Sequence, residues 1–167
     1  MITGACAAAG GNIIGAHIFT TTDGLALDTI LVTRAFKEEA DELRRAGKIC
    51  ESIRKVLHGE IRLHEELARV QQMPDRAKAF KVVPRVIVDN ASSNKNTVIE
   101  ASGLDRVGLL HGLTDALYRL NLNITSAHIT TFGEKVIDSF YVTDLVGQKI
   151  SNDNKRGNII ARLKAVT

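Results

Sequence analysis

The sequence predicts an α+β fold: a four-stranded antiparallel sheet with two helices on one face, preceded by an incomplete unit of the same kind. Three observations predict it. The stretch Asn12-Ile13-Ile14-Gly15-Ala16-His17-Ile18-Phe19-Thr20 returns as Asn123-Ile124-Thr125-Ser126-Ala127-His128-Ile129-Thr130-Thr131, at a constant offset of 111. Further on, Leu27-Asp28 answers Ile137-Asp138 and Val32-Thr33 answers Val142-Thr143 at an offset of 110, so one residue is gained or lost at the turns near Asp23-Gly24 and Gly133-Glu134. From residue 82 onward the elements read β-β-α-β-β-α. A repeat kept in register across a hairpin marks a duplicated structural unit.

The elements follow in order. Met1–Gly10 reads as the tail of a helix stopped at Gly10-Gly11, where glycine accepts the left-handed turn. Asn12–Thr21 is rich in β-branched residues and reads as a strand. Thr22-Asp23-Gly24 is a turn. In the second strand, Leu25–Arg34, Leu27, Thr29, Leu31 and Thr33 alternate with Ala26, Asp28, Ile30 and Val32. Lys37–His58 is the clearest helix, with Ala40, Leu43, Cys50, Ile53 and Leu57 on its apolar face. Its first turns hold Glu38, Glu39, Asp41 and Glu42, which suit the helix dipole. Ile61–Val70 reads as a further helical piece.

Val82–Asn90 reads as a strand in which Pro84 implies an edge position or a strand start. A polar turn leads to the return strand Asn96–Ser102. Asp105 is placed to cap a helix running to about Leu120, with Leu110, Leu113, Leu117 and Leu120 on one face. Asn121–Phe132 and Lys135–Asp144 form another hairpin. The last helix covers about Asp153–Val166, with Ile159, Ile160, Leu163 and Val166 apolar.

This divides the chain into an incomplete α-β-β-α unit at 1–70, a linker at 71–81 and a complete unit at 82–167. The complete unit is a permuted form of the ferredoxin-like β-α-β-β-α-β order, with both helices covering one face of the sheet. The first unit lacks its opening strand pair. Its sheet therefore has an exposed edge, or is completed by another chain or by the other unit. The equivalents of residues 97–110 in the first copy would carry numbers below one. The sequence is thus expected to be a fragment of a longer protein, or to follow a start codon assigned too late.

Composition narrows the function classes. An apolar share of 44% and a charged share of 25% are those of an ordinary soluble globular protein. There is no apolar run long enough for a membrane span and no basic-then-apolar signal segment, so a cytoplasmic protein is expected. Cys6 and Cys50 have neither zinc spacing nor a disulfide framework and read as small buried apolar residues in a reducing compartment. A net charge of +3, with five Phe, two Tyr and no Trp, gives little footing for nucleic acid, and Arg44-Arg45 sit beside Asp41-Glu42 on a mixed helix face. Phe140 and Tyr141 are adjacent and so face opposite sides of a strand, which argues against base stacking.

The segment Gly103-Leu104-Asp105-Arg106-Val107-Gly108-Leu109-Leu110, followed by Asn123-Ile124 and Ala127-His128-Ile129, resembles the ACT domain family. It is close to that family's Asp-Arg-Pro-Gly-Leu-Leu pattern at the first strand-to-helix turn. The tandem copies, Pro84-Arg85-Val86, and the string from Ser126 to Val142 further resemble the C-terminal end of the bifunctional uridylyltransferase/uridylyl-removing enzymes that modify the nitrogen-signalling protein PII. Val107 departs from the pattern, since the family has proline there. Proline pre-sets φ at a helix start, so its loss loosens the turn and bears on ligand affinity more than on fold.

The resemblance implies a regulatory module that binds a free amino acid, glutamine in the parent family, and that controls modification of PII. It also implies the ligand-binding residues: Leu104, Asp105, Arg106, Val107, Gly108, Leu109 and Leu110 at the turn, with Asn123 and Ile124 on the next strand. Gly108 lets a ligand approach the backbone, and the helix amides offer a place for a carboxylate. Asp105 suits an amino group or a plain helix cap. Arg106 suits a carboxylate or solvent. Asn123, repeated as Asn12, suits a ligand contact or a structural bond. His17 and His128 recur together and, lacking further ligands at metal spacing, are expected to pack against the sheet.

The residues themselves support no catalysis. There is no Ser/His/Asp or Cys/His constellation, no His-Asp dipeptide, and no Gly-Ser turn followed by paired aspartates of the kind that hold Mg²⁺ for nucleotidyl transfer. The parent family uses Mg²⁺ in catalytic parts that would lie upstream, and no cofactor is expected in this chain. The rival readings are an oligomerisation module that pairs through sheet edges, RNA binding on a ferredoxin-like sheet, and acylphosphatase-like hydrolysis, which would need a phosphate-cradling Arg loop absent here.

Overall fold

The computed structural model describes residues 1–20, 25–71, 82–132 and 134–167. The expected turn at Thr22-Asp23-Gly24, Gly133 of the second turn, and the linker from residue 72 to 81 lie outside the described residues. The element order is α1 (Ile2–Ala8), β1 (Ile13–Thr20), β2 (Ala26–Val32), α2 (Glu39–Leu57), α3 (Leu63–Gln71), β3 (Arg85–Asp89), β4 (Thr97–Leu104), α4 (Leu109–Arg119), β5 (Leu122–Phe132), β6 (Lys135–Asp144) and α5 (Asp153–Lys164). From β3 onward this is the β-β-α-β-β-α order that the sequence predicts.

All the strands join one antiparallel sheet in the order β2-β1-β5-β6-β4-β3. The predicted four-stranded sheet is its β5-β6-β4-β3 part. β3 forms one outer edge, and Pro84 immediately precedes it, where a missing N–H breaks no ladder bond. Of the three outcomes expected for the N-terminal hairpin, β1 pairs with β5 of the same sheet. Gly15 pairs with His128, Ala16 with Ala127, and His17 with Ser126.

Both helices of the C-terminal unit contribute to a single core with the strands. Leu113 and Leu117 of α4, Ile159 and Leu163 of α5, and Ile99, Phe140 and Val142 of the sheet are fully buried. Each such side chain contributes roughly 1.5–3 kcal/mol by leaving water. Thr97 is buried as well, but its hydroxyl is satisfied. It donates to Asn90 Oδ1 at 2.6 Å and accepts from the Ile150 amide at 2.8 Å, which ties the β3–β4 turn to the segment before α5. A second cluster, Cys6, Ile13 and Ile49, joins α1, β1 and α2, and Leu110 and Ile129 of the other unit pack against it.

The repeat is visible in the backbone. α1 and α4 both end on a left-handed residue, Gly10 at φ 76° and Asn121 at φ 56°, which are the same position of the repeat. Thr3 and Thr114, also equivalent, share a hydroxyl–hydroxyl hydrogen bond of 3.0 Å.

Three expectations are corrected. The apolar face predicted for α2 is rotated: Ile49 and Val56 are the buried residues, Ile53 is half-buried, and Ala40, Leu43, Cys50 and Leu57 are exposed. Polar anchors set this rotation. Arg45 lies inward and donates to the carbonyls of Gly10 and Thr33 at 2.9 Å each and to Glu42 at 2.8 Å. Glu42 in turn accepts from the amides of Ala35 and Phe36. Cys50 is consequently exposed, while Cys6 is buried as expected. Lastly, Asp105 does not cap α4, because Gly108 occupies the N-cap and no side chain bonds there.

Candidate functional site

The turn between β4 and α4 is built by one residue. Gly108 has φ 82°, a region that costs an L-side chain roughly 1–2 kcal/mol. That conformation lets the chain leave β4 at Leu104, turn through Asp105–Val107 and enter α4 at Leu109. Asp105 donates its amide to the Glu134 carbonyl at 2.9 Å, and Leu109 donates to the Arg106 carbonyl at 3.1 Å. Exposed Arg106 reaches the other way and donates to the Val166 carbonyl at 2.6 Å, fastening the turn to the end of α5.

Against this turn lies a cavity of about 390 Å³. Asp105, Arg106, Val107, Gly108, Leu109 and Leu110 line one side of it. The other side is Gly10, Gly11, Asn12 and Ile13, where α1 passes into β1, and Thr131, Val136 and Asp138 complete it from the sheet. Its walls therefore come from both units. The volume falls in the range of about 300–1,000 Å³ typical of small-molecule sites.

Six of the seven turn residues named from the sequence thus meet at one cavity. Leu104 is half-buried at the end of β4 and is not among its lining residues. Asn123 and Ile124 are elsewhere. Asn123 is exposed at the start of β5 and donates to the Asp144 carbonyl at 3.3 Å, while Ile124 faces a different, apolar hollow between α1, α4 and the sheet. α4 separates them from the turn, since its 11 residues span roughly 16 Å at about 1.5 Å each. Their repeat equivalents line the cavity. β1 runs antiparallel to β5, so Asn12 and Ile13, the equivalents of Asn123 and Ile124, lie at the end of the sheet where the turn is. The duplicated asparagine was the signal for this, once the two units are paired about the Ala16–Ala127 position.

Two further groups carry no mark in the motif. Asp138 of β6 faces the helices between the inward residues Val136 and Phe140, is 1% exposed, and has Ala101 and Ile129 as its cross-strand neighbours. Its Oδ1 has no hydrogen-bond partner among the described residues. Burial, with a smaller contribution from the nearby Asp105 carboxylate, pushes its pKa up to about 7. His111 of α4 lines the cavity with an Nδ1 that has no partner among the described residues, and burial holds its imidazole below the ordinary histidine range. The sequence signal for Asp138 was its recurrence as Asp28, an acid at an inward strand position in both copies. The Asp28 Oδ1 is likewise unpartnered among the described residues.

His17 and His128 stand beside each other on the sheet. Both are exposed on its helix-free face, with ring centroids 6.3 Å apart edge-to-face, and His128 stands edge-on to Tyr141 at 5.9 Å. Among the described residues, no three His, Cys, Asp or Glu side chains gather as a metal site, and no helix is long and apolar enough to cross a membrane.

Residues 97–154 match the ACT domain family, a span that runs from β4 into the first residues of α5 and holds the Gly108 turn, Asn123 and Asp138. An ACT domain is therefore present in this part of the chain, and with it a regulatory role of the amino-acid-binding kind. No solved structure matches the chain.

Proposed function

We propose that the cavity between the Gly108 turn and the Asn12 segment binds a free amino acid, glutamine in the first instance. We further propose that residues 1–70 are the later part of a preceding ACT unit, joined to the second unit, 82–167, by residues 71–81. The observation that carries this reading is the shared wall: Asp105–Leu110 from one unit and Asn12 from the other line the same cavity. The first amides of α4 favour a carboxylate. Asp105 and Asp138 favour an ammonium group, and Asn12 can donate to and accept from a side-chain amide.

A ligand held by two units prefers the arrangement in which both reach it, and that preference is what a sensor transmits. In the parent family that the tandem copies and the Ser126–Val142 string resemble, the signal would shift an upstream catalytic part from adding UMP to PII towards removing it. The working environment that goes with this reading is the cytoplasm. Sensing an abundant metabolite needs only weak binding, since a Kd of about 1 mM corresponds to roughly −4 kcal/mol.

The test is a titration of the isotope-labelled chain with glutamine, followed by amide resonances. Saturable shifts are expected at Asp105–Leu110 and at Asn12, with Asn123 and Ile124 unmoved. If none of the cavity amides responds at saturating glutamine, or if Asn123 responds in place of Asn12, this site is wrong.

A second reading, an assembly module, is favoured by β2, whose outer edge bears no strand among the described residues and whose Leu27 and Leu31 are exposed. Sedimentation with and without glutamine separates the two, because assembly through that edge is indifferent to ligand.

A further inference from the structure

From the placement of Asp138 we infer that its carboxylate is the cavity's receptor for a ligand's ammonium group. This rests on the amino-acid-binding reading and adds to it the group that selects α-amino acids over other carboxylates. The geometry is specific. Asp138 sits on an interior strand of the sheet, is 1% exposed and lines the cavity, yet its Oδ1 bonds to nothing among the described residues. Its side neighbours across the strands are Ala101 and Ile129, neither of which can satisfy it. A buried unpartnered carboxyl is costly unless something completes it. An ammonium group entering from the cavity does so with a charge-assisted hydrogen bond.

A second consequence distinguishes this role from plain structural burial. The free carboxyl holds its proton to about pH 7 because it is buried and lies near Asp105. An arriving cation stabilises the ionised form. Binding near pH 6 therefore expels a proton, and binding at pH 8.5, where the acid is already ionised, does not. The other titratable and charged groups around the cavity are Asp105 and Arg106 of the turn, Glu134 before β6, and His111 of α4. Of these, His111 is an imidazole whose pKa burial lowers, so it needs its own control.

The experiment is calorimetric titration of the whole chain with L-glutamine at pH 6.0 and 8.5, in buffers of different ionisation enthalpy. The expected result is release approaching one proton at pH 6.0 and almost none at pH 8.5. Glutaramic acid, which lacks the ammonium group, is expected to release none. Asp138→Asn, isosteric with the protonated acid, is expected to abolish the release and to weaken glutamine tenfold or more at pH 8.5. Release that persists in Asp138→Asn but disappears in His111→Asn overturns the inference. So does glutamine binding without proton exchange at pH 6.0 in the unmodified chain, a readout that needs no variant to fold; either result leaves the amino-acid site standing. Failure of the unmodified chain to bind glutamine or any other protein amino acid overturns both.

Discussion

Ala16 stands directly opposite Ala127 where β1 meets β5, and the two are the same position of the repeat, 111 residues apart. Around this pair the pairing exchanges ends: Gly15 meets His128 and His17 meets Ser126. The equivalent Thr3 and Thr114 bond to each other, and the equivalent His17 and His128 touch edge-to-face. The junction is thus a local two-fold axis, and its small residues let α1 and α4 settle close over the sheet. Ala127 is 6% exposed and faces the helices. Ala127→Leu adds volume where both helices and both units converge, so a loss of about 1–3 kcal/mol is expected from overpacking. Urea unfolding at neutral pH measures it, and a variant as stable as the parent would show that the junction is loosely packed.

Gly108 is the second point where one atom decides the outcome. At φ 82° an added Cβ meets its own carbonyl, so Gly108→Ala is expected to cost about 1–2 kcal/mol. The strain falls on the turn that lines the cavity, so glutamine affinity should drop more than global stability does. Paired unfolding and binding measurements check this. An unchanged affinity would place the ligand away from the turn.

Much of this architecture was legible in the sequence, and the parts that were not share a cause. The strands follow from local alternation, as in Leu27, Thr29 and Leu31, and the buried leucines of α4 follow from helical spacing. The rotation of α2 does not follow from its own pattern, because Arg45 and Glu42 are held by carbonyls and amides of the α1–β1 and β2–α2 connections, which lie outside the helix. The Gly108 turn was legible because its chemistry is contiguous. That Asn12 and not Asn123 lines the cavity was not, since it depends on which strand pairs with β5. Asp138 was hidden in the same way: only the fold shows that its inward position opens onto the turn of the same unit and the asparagine of the other.

The anchoring role of Arg45 makes a prediction of its own. Its guanidinium serves two carbonyls and one carboxylate while its side chain is 12% exposed. Arg45→Met keeps the aliphatic stem and leaves all three acceptors short of a donor. A loss of about 2–3 kcal/mol is expected, since bonds to a charged group contribute about 1.5–3 kcal/mol. Hydrogen exchange should rise first in α1 and α2 and leave α4 and α5 protected. Uniform loosening of both units would show that the N-terminal helices do not open separately.

The last prediction concerns pH. Asp138 has a folded pKa of about 7 against an ordinary value of 3.8. Well below pH 4 the carboxyl is protonated whether the chain is folded or not, and it contributes nothing to pH dependence. Between pH 4 and 7 the unfolded chain ionises this group while the folded protein keeps its proton, so the folded state binds more protons and stability falls as pH rises. Above pH 7 both forms are ionised and the penalty is constant, on the order of 4 kcal/mol at 1.36 kcal/mol per pKa unit. Asp138→Asn lacks this penalty. It should match the parent in stability near pH 4 and exceed it at pH 8, which thermal melts across that range resolve. If the two curves run parallel from pH 4 to pH 8, the buried carboxyl is already paired in solution, and the cavity has no open acceptor to offer a ligand.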